Sequence, residues 1–312
     1  NDSLAWASLA VGAAATILFP ILMAVRPHPL VPLHLFRIRE FAIINLATFL
    51  IYGALYVSIS ATALLYQGTL GYSATGAALI GIPTGVVLTL LSSRVGALAA
   101  RRGARLFLVA GPLTMAAGQL WLARIPASSA PWLADTARPA SLIPPPDALI
   151  DVLPSVVLFG LGASMIVAPL TSTLMGSVPT TNAGVASAIN NALARVGQPL
   201  IGAVIFVAVS ATFYPALAAR IPGLDPSDPA LRAQVSPLNP PRPGSPPELV
   251  AAAREASVDA FHLSALVSAG LYIAGAAANG LGLPGRPGRT TRAIRDPGDP
   301  GDPGTAGADP GR

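Results

Sequence analysis

Apolar residues in this chain fall into seven long, unbroken runs, roughly 4–25, 41–66, 74–96, 105–123, 152–175, 184–210 and 260–282. Short polar or proline-rich connectors separate them. A run of about 20 apolar residues, helical at 1.5 Å per residue, is long enough to cross a hydrocarbon layer about 30 Å thick. A strand crossing the same layer would alternate apolar and polar positions over about ten residues, and these runs do not alternate. Helices and closed barrels are the two folds that satisfy every backbone polar group in lipid. The pattern therefore predicts an all-α integral membrane protein of about seven transmembrane helices.

Composition agrees. Hydrophobic residues make up 53% of the 312 and charged residues 11%, with a mean hydropathy of +0.62, whereas soluble domains carry about 25% charged residues. The lipid bilayer is thus the first partner to expect. A net charge of +5 could suggest nucleic acid, but the arginines lie between the apolar runs rather than in one patch, so no nucleic-acid partner is implied. Every basic residue is Arg, which together with abundant Ala, Gly and Pro points to a GC-rich, bacterial coding sequence. Cysteine is absent and the three histidines, His28, His34 and His262, are scattered. Neither a metal site nor a cofactor is expected from that inventory. Clustered acidic, His or Ser residues at one interface, as an integral-membrane enzyme would need, are also missing from the sequence, so no enzyme is implied and no catalytic residue is assigned.

The connectors predict an orientation. Arg26, Arg37 and Arg39 lie between runs one and two; Arg94, Arg101, Arg102 and Arg105 lie around the connector between runs three and four; Arg286, Arg289, Arg292 and Arg295 follow the last run. The positive-inside rule puts these on the cytoplasmic face of the plasma membrane, including the 26–40 connector and the C-terminus. The alternate connectors, 67–73, 124–151 and 211–259, fall outside. The last is rich in proline (Pro237, Pro240, Pro241, Pro243, Pro246, Pro247) and is expected as a long loop, with a short helix over Glu248–Ser257 leading into the final span. The tail 283–312, with its repeat DPGDPGDPG, has nothing to bury and is expected to be disordered. Residues 1–25 read as a spanning helix rather than a signal peptide, and the chain as part of something longer.

The stretch GALAARRGARLFL, Gly96 to Leu108, reads as a tight turn between helices. Gly96 and Gly103 would permit close approach or positive φ there, and Arg101, Arg102 and Arg105 would hold the turn at the anionic face. Taken alone, this is a positive-inside loop. It also resembles the signature loop of the major facilitator superfamily, Gly-x-Leu-Ala-Asp-Arg-x-Gly-Arg-Arg, with matches at Gly96, Leu98, Ala99, Arg101, Gly103 and Arg105. Ala100 stands where the pattern has Asp. In order along the chain, PLVPLHLFRIREF (Pro29 to Phe41), LGYSATGAALIGIP (Leu70 to Pro83), FGLGASMIVAPLTSTLMGSVP (Phe159 to Pro179) and NAGVASAINNALARVG (Asn182 to Gly197) resemble the second half of drug:proton antiporters with fourteen spans.

That resemblance implies a secondary transporter exchanging small amphiphilic or drug-like compounds for protons. Residues 1–25 would form the helix before the C-terminal bundle, residues 41–282 the six-helix bundle itself, and a separate N-terminal bundle would be its partner. The alternative is a truncated, non-transporting membrane anchor or interaction protein. The apolar runs contain no Asp or Glu, so a protonatable coupling group would belong to the other bundle.

Polar residues within runs are the site candidates. Asn45, Thr48, Tyr52 and Tyr56 recur every three or four residues on one face of run two, either lining a substrate pathway or joining helices. Gly81-x-x-x-Gly85, around Pro83, reads as a close-packed, kinked contact. In run six, Ser187, Asn191 and Arg195, with Gln198 nearby and Asn190 beside them, form a polar stripe. A guanidinium in mid-membrane costs about 2.5–3.5 kcal/mol against lipid. Either Asn191 and neighbouring carbonyls hold Arg195 as a staple between helices, or Arg195 lines the central cavity and meets an acidic group of the other bundle.

Overall fold

The computed structural model describes residues 2–25 and 31–284. Among them the helices are α1 (Asp2–Val25), α2 (Arg39–Leu64), α3 (Ala74–Arg102), α4 (Ala104–Leu122), α5 (Leu153–Gly176), α6 (Ala183–Arg220), α7 (Pro229–Gln234) and α8 (Pro247–Gly282). Six of the described helices are long and apolar enough to cross a membrane: α1, α2, α3, α5, α6 and α8. The fourth apolar run becomes α4, 19 residues carrying Arg105 and Gln119 and packed between α5 and α8. Arg26 and His28 in the first connector, and the whole tail from residue 285, lie outside the described residues.

Four helices make a front layer in the order α3, α5, α2, α6, and α4 and α8 stand behind them. Lipid tails are as apolar as leucine, so burial of greasy surface does little to join these helices; close approach of small residues does more. At the α4–α5 contact, a Cβ on Gly162 would sit 2.5 Å from the Gly111 carbonyl oxygen and 2.9 Å from the Met115 nitrogen. At the α2–α6 contact, a Cβ on Gly197 would sit 2.8 Å from the Phe49 carbonyl oxygen. Gly160 of α5 admits the backbone of Thr84, whose hydroxyl donates to the Val156 carbonyl at 3.0 Å and ties α3 to α5. Phe41, Ile44 and Ile51 of α2, Leu108 and Met115 of α4, Ile166 of α5 and Tyr272 of α8 fill the centre between the layers.

Helices outrun the apolar stretches that predicted them. The connector expected between runs three and four shrinks to Gly103, at φ +95°, because α3 continues through Arg102 and α4 starts at Ala104. Only glycine takes that backbone without strain. The expected loop over 211–259 needs correction at its start, whereas the helix expected over Glu248–Ser257 is formed, as the first turns of α8. Residues 211–220 belong to α6, which has 38 residues and extends about 57 Å. Residues 247–259 belong to α8, where Pro247 stands at the first helical position, the one place a missing N–H costs nothing. The two projecting ends are joined by Arg220, which pairs with Glu255 at 2.9 Å and Asp259 at 2.6 Å.

That same end of the bundle is closed by folded connectors. Ser73 caps α3 by accepting from the Gly76 amide, and its hydroxyl donates to the Ala134 carbonyl at 2.7 Å. Arg254 of α8 donates to the Ser129 carbonyl at 2.8 Å, and the His262 ring N–H donates to the Ile125 carbonyl at 2.9 Å. The Leu238 amide donates to the Ser257 hydroxyl, drawing the proline-rich segment onto α8.

Candidate functional site

Asn190 and Asn191 are neighbours in sequence and face opposite ways. One residue turns an α-helix by about 100°, so only one of them can point at α2. Asn190 does: its side-chain amide donates to the Thr48 hydroxyl at 2.8 Å and to the Asn45 side-chain oxygen at 3.2 Å, and Asn45 donates in turn to the Phe41 carbonyl at 2.8 Å. All three side chains are buried. The cluster is a polar clasp between α2 and α6, a turn or two from the Gly53 and Gly197 crossing. Of the four residues expected along α2, Asn45 and Thr48 are thus consumed by helix joining. Tyr52 and Tyr56, their rings 6.4 Å apart, continue the same face half-buried.

Asn191, Arg195 and Gln198 are exposed on the side of α6 turned away from that clasp, with Ser187 half-buried beside them. Asn191 donates to the Ser187 carbonyl at 3.1 Å, one turn back. It does not hold Arg195. Among the described residues the guanidinium of Arg195 has no hydrogen-bond or ion-pair partner, so the staple between helices is not formed within this chain. Further round and along α6, Val196, Leu200 and Val204 are apolar and exposed.

At the arginine-rich end, the turn around Gly103 positions two different kinds of guanidinium. Arg101 and Arg102 stay exposed in the last turn of α3, where cations complement the carbonyl end of a helix. Arg105 donates to the Gly280 carbonyl and Arg39 to the Leu281 carbonyl at 3.1 Å, so both cap the end of α8. Those last carbonyls have no partner within the helix. Leu98 is half-buried, and Gly96 brings α3 near α5, where an added Cβ would meet Ala168 at 3.3 Å. The expected contact at Gly81 and Gly85 is not formed: a Cβ at either position would meet nothing within 4 Å, Gly85 being exposed and Gly81 bordering an open cavity.

Sequence reasoning passed over Tyr66, Gln119 and Ser155. They sit on three separate elements, α2's final π-type turn (Leu65–Thr69), α4 and the start of α5, and they meet at one cavity of about 450 Å³. A lone Gln in an apolar run was the one available signal. The ion-paired Arg220, Glu255 and Asp259 were equally invisible, since they join helix ends far apart in the chain.

No family model matches the chain. It is similar to the multidrug resistance protein Stp of Mycobacterium tuberculosis, 27% identical over 199 residues, which is 62% of this chain and 34% of that protein. It is similar also to EfpA of the same organism, named as an uncharacterized MFS-type transporter, 28% identical over 206 residues, 65% of this chain and 36% of EfpA. The chain is a distant homologue of these membrane transporters, and it spans about a third of their length.

Proposed function

We propose that this chain supplies one six-helix bundle of a secondary transporter that expels small amphiphilic compounds in exchange for protons. Helices α2 to α6 and α8 form the bundle, α1 precedes it, and a second bundle packs on the front layer. Transporters built from two such repeats hold the substrate between them near the midplane and rock about it. The observation that carries this reading is Arg195: an exposed guanidinium with no partner among the described residues, within a helix apolar enough to cross a membrane. Against lipid it would cost several kcal/mol, so a polar cavity or an acidic group of a facing bundle is the environment that suits it. The similarity to Stp and EfpA, and the share of their length matched, support the same reading.

In this reading the arginine-rich end, with Arg39, Arg101, Arg102 and Arg105, faces the cytoplasm, and the end closed by folded connectors faces outward. The chain has no cysteine, so single cysteines report orientation cleanly. One at Ser227 should react with an impermeant maleimide added to intact cells, and one at Thr180 should react only after permeabilisation.

The decisive comparison reconstitutes the full-length protein and this chain separately in liposomes with an imposed pH gradient. The full-length protein should drive substrate movement that collapses with the gradient, and the chain alone should not. Gradient-driven flux by the chain alone would show that a second bundle is not needed. Absence of flux from the full-length protein would favour a membrane anchor or interaction protein instead.

A further inference from the structure

The cavity of about 450 Å³ lies between α2, α3 and α5, with Gln119 of α4 reaching it from behind. Its walls are Ile59, Ala63, Ala78, Gly81, Val156 and Phe159, and none of the lining residues carries a formal charge. Two polar side chains at this cavity are more than nine-tenths buried and lack partners. The Gln119 side chain is 5% exposed, and its amide makes no hydrogen bond among the described residues. The Tyr66 hydroxyl is fully covered and unpaired, beside a Ser155 hydroxyl with which it makes no hydrogen bond of normal geometry. Buried polar groups ordinarily find a partner, and leaving one without costs about 1–3 kcal/mol. Where α2 meets α6 such groups are paired, as in the Asn45, Thr48 and Asn190 clasp. Here Gln119, with an unpaired carboxamide, and Tyr66 both line the same empty space.

We propose that this cavity binds an uncharged, largely apolar molecule bearing one carbonyl or amide group, which the Gln119 amide grips by a hydrogen bond. The volume is that of a drug-sized site, and a few convergent polar groups in an apolar wall are what fix orientation in such sites. A permanent cation is excluded by the chemistry of the lining. It would have to shed water into a cavity without any carboxylate, and nothing there would compensate the loss. Gly81 belongs to this design: with no contact within 4 Å, its missing side chain keeps the space open on the α3 side. The π-type turn at Leu65–Thr69, closed by the Leu70 amide on the Leu65 carbonyl at 2.8 Å, brings Tyr66 into the cavity wall. Such turns are frequent where a helix serves a site.

This assignment deepens the transporter reading and rests on it only for the direction in which the ligand would travel. Binding can be measured without transport, so the two can fail separately. The probe is benzophenone, a neutral diaryl ketone that crosslinks on illumination, added to the purified chain in lipid nanodiscs, with labelled peptides read by mass spectrometry. Labelling should saturate and concentrate on the segments holding Ile59, Ala63 and Phe159. Gly81→Leu, which fills the space, should reduce it at least fivefold. Gln119→Leu should weaken half-saturation about tenfold, the effect of losing one hydrogen bond, while competition by the hydrocarbon diphenylmethane stays as in wild type. Ethidium, a permanent cation, should not compete. Because Gln119→Leu removes a buried unpaired amide, it should fold at least as well as wild type, and Arg242→Ala, on an exposed connector, serves as a variant outside the cavity with unchanged labelling. Labelling spread evenly over lipid-facing helices, indifference to both Gly81→Leu and Gln119→Leu, or competition by ethidium would each overturn the assignment.

Discussion

Replacing Gly162 with alanine adds one methyl group where α4 and α5 lie closest. The new carbon would stand 2.5 Å from the Gly111 carbonyl oxygen and 2.9 Å from the Met115 nitrogen, both backbone atoms. Ordinary carbon–oxygen contacts begin at about 3.3 Å, so the two helices must part by roughly 0.8 Å. A gap of that size forfeits a quarter to a half of each dispersion contact along the seam, and overpacking of this kind costs about 1–3 kcal/mol. Alanine's better helix propensity returns about 0.5–1 kcal/mol. The expected net loss is about 1 kcal/mol. The control is Gly85→Ala, where nothing lies within 4 Å, so that propensity acts alone and stability should hold or rise slightly. Both are measured on the purified chain by titrating SDS into mixed micelles and following helicity. Equal midpoints for wild type and Gly162→Ala, or an equal loss in Gly85→Ala, would refute the claim that glycine contacts rather than greasy surface join this bundle.

Two further outcomes concern the connector-closed end. Tyr72 is buried with its hydroxyl unpaired, and burial, with Asp151 and Asp147 nearby, pushes its phenol up to about 12 from an ordinary 10.0. A phenol raised on folding contributes stability that is intact below pH 10 and is lost as pH climbs through about 12; Tyr72→Phe should therefore flatten the alkaline fall in SDS midpoint over that window. Arg220→Ala removes two ion pairs whose carboxylates are more than a third exposed. It should cost only about 1 kcal/mol in the same titration, and less in high salt.

Residue patterns made some of this structure legible and hid the rest for identifiable reasons. The apolar runs gave the spans because lipid forces backbone pairing into helices. They misplaced the ends at Arg102, Arg220 and Pro247 because a helix leaving the membrane needs no apolar residues, only propensity and partners such as Glu255 and Asp259. Gly103 was readable from its place in a tight turn. The glycine spacing at Gly81 and Gly85 pointed to the wrong contact, since the glycines that do pack, Gly111 with Gly162 and Gly53 with Gly197, come from different helices. Periodicity located the α6 stripe yet could not say which side of it α2 would take. Burial of Asn190 and exposure of Asn191 and Arg195 turn on a single step of about 100°. Gln119 shows the limit most plainly, because its meaning comes from Tyr66 and Ser155 on other elements.

The central claim is that Arg195 works at the face this chain offers to a second bundle. Its most direct test is export of amphiphilic dyes by energised cells carrying the full-length protein, with Arg195→Ala and Arg195→Lys compared at matched membrane levels. The account predicts that Arg195→Ala lowers export at least tenfold while protein level and SDS midpoint stay near wild type, and that Arg195→Lys recovers only part, since lysine keeps the charge but lacks the planar fork. Normal export by Arg195→Ala, or its failure to accumulate as folded protein, would contradict the claim and make Arg195 a structural residue.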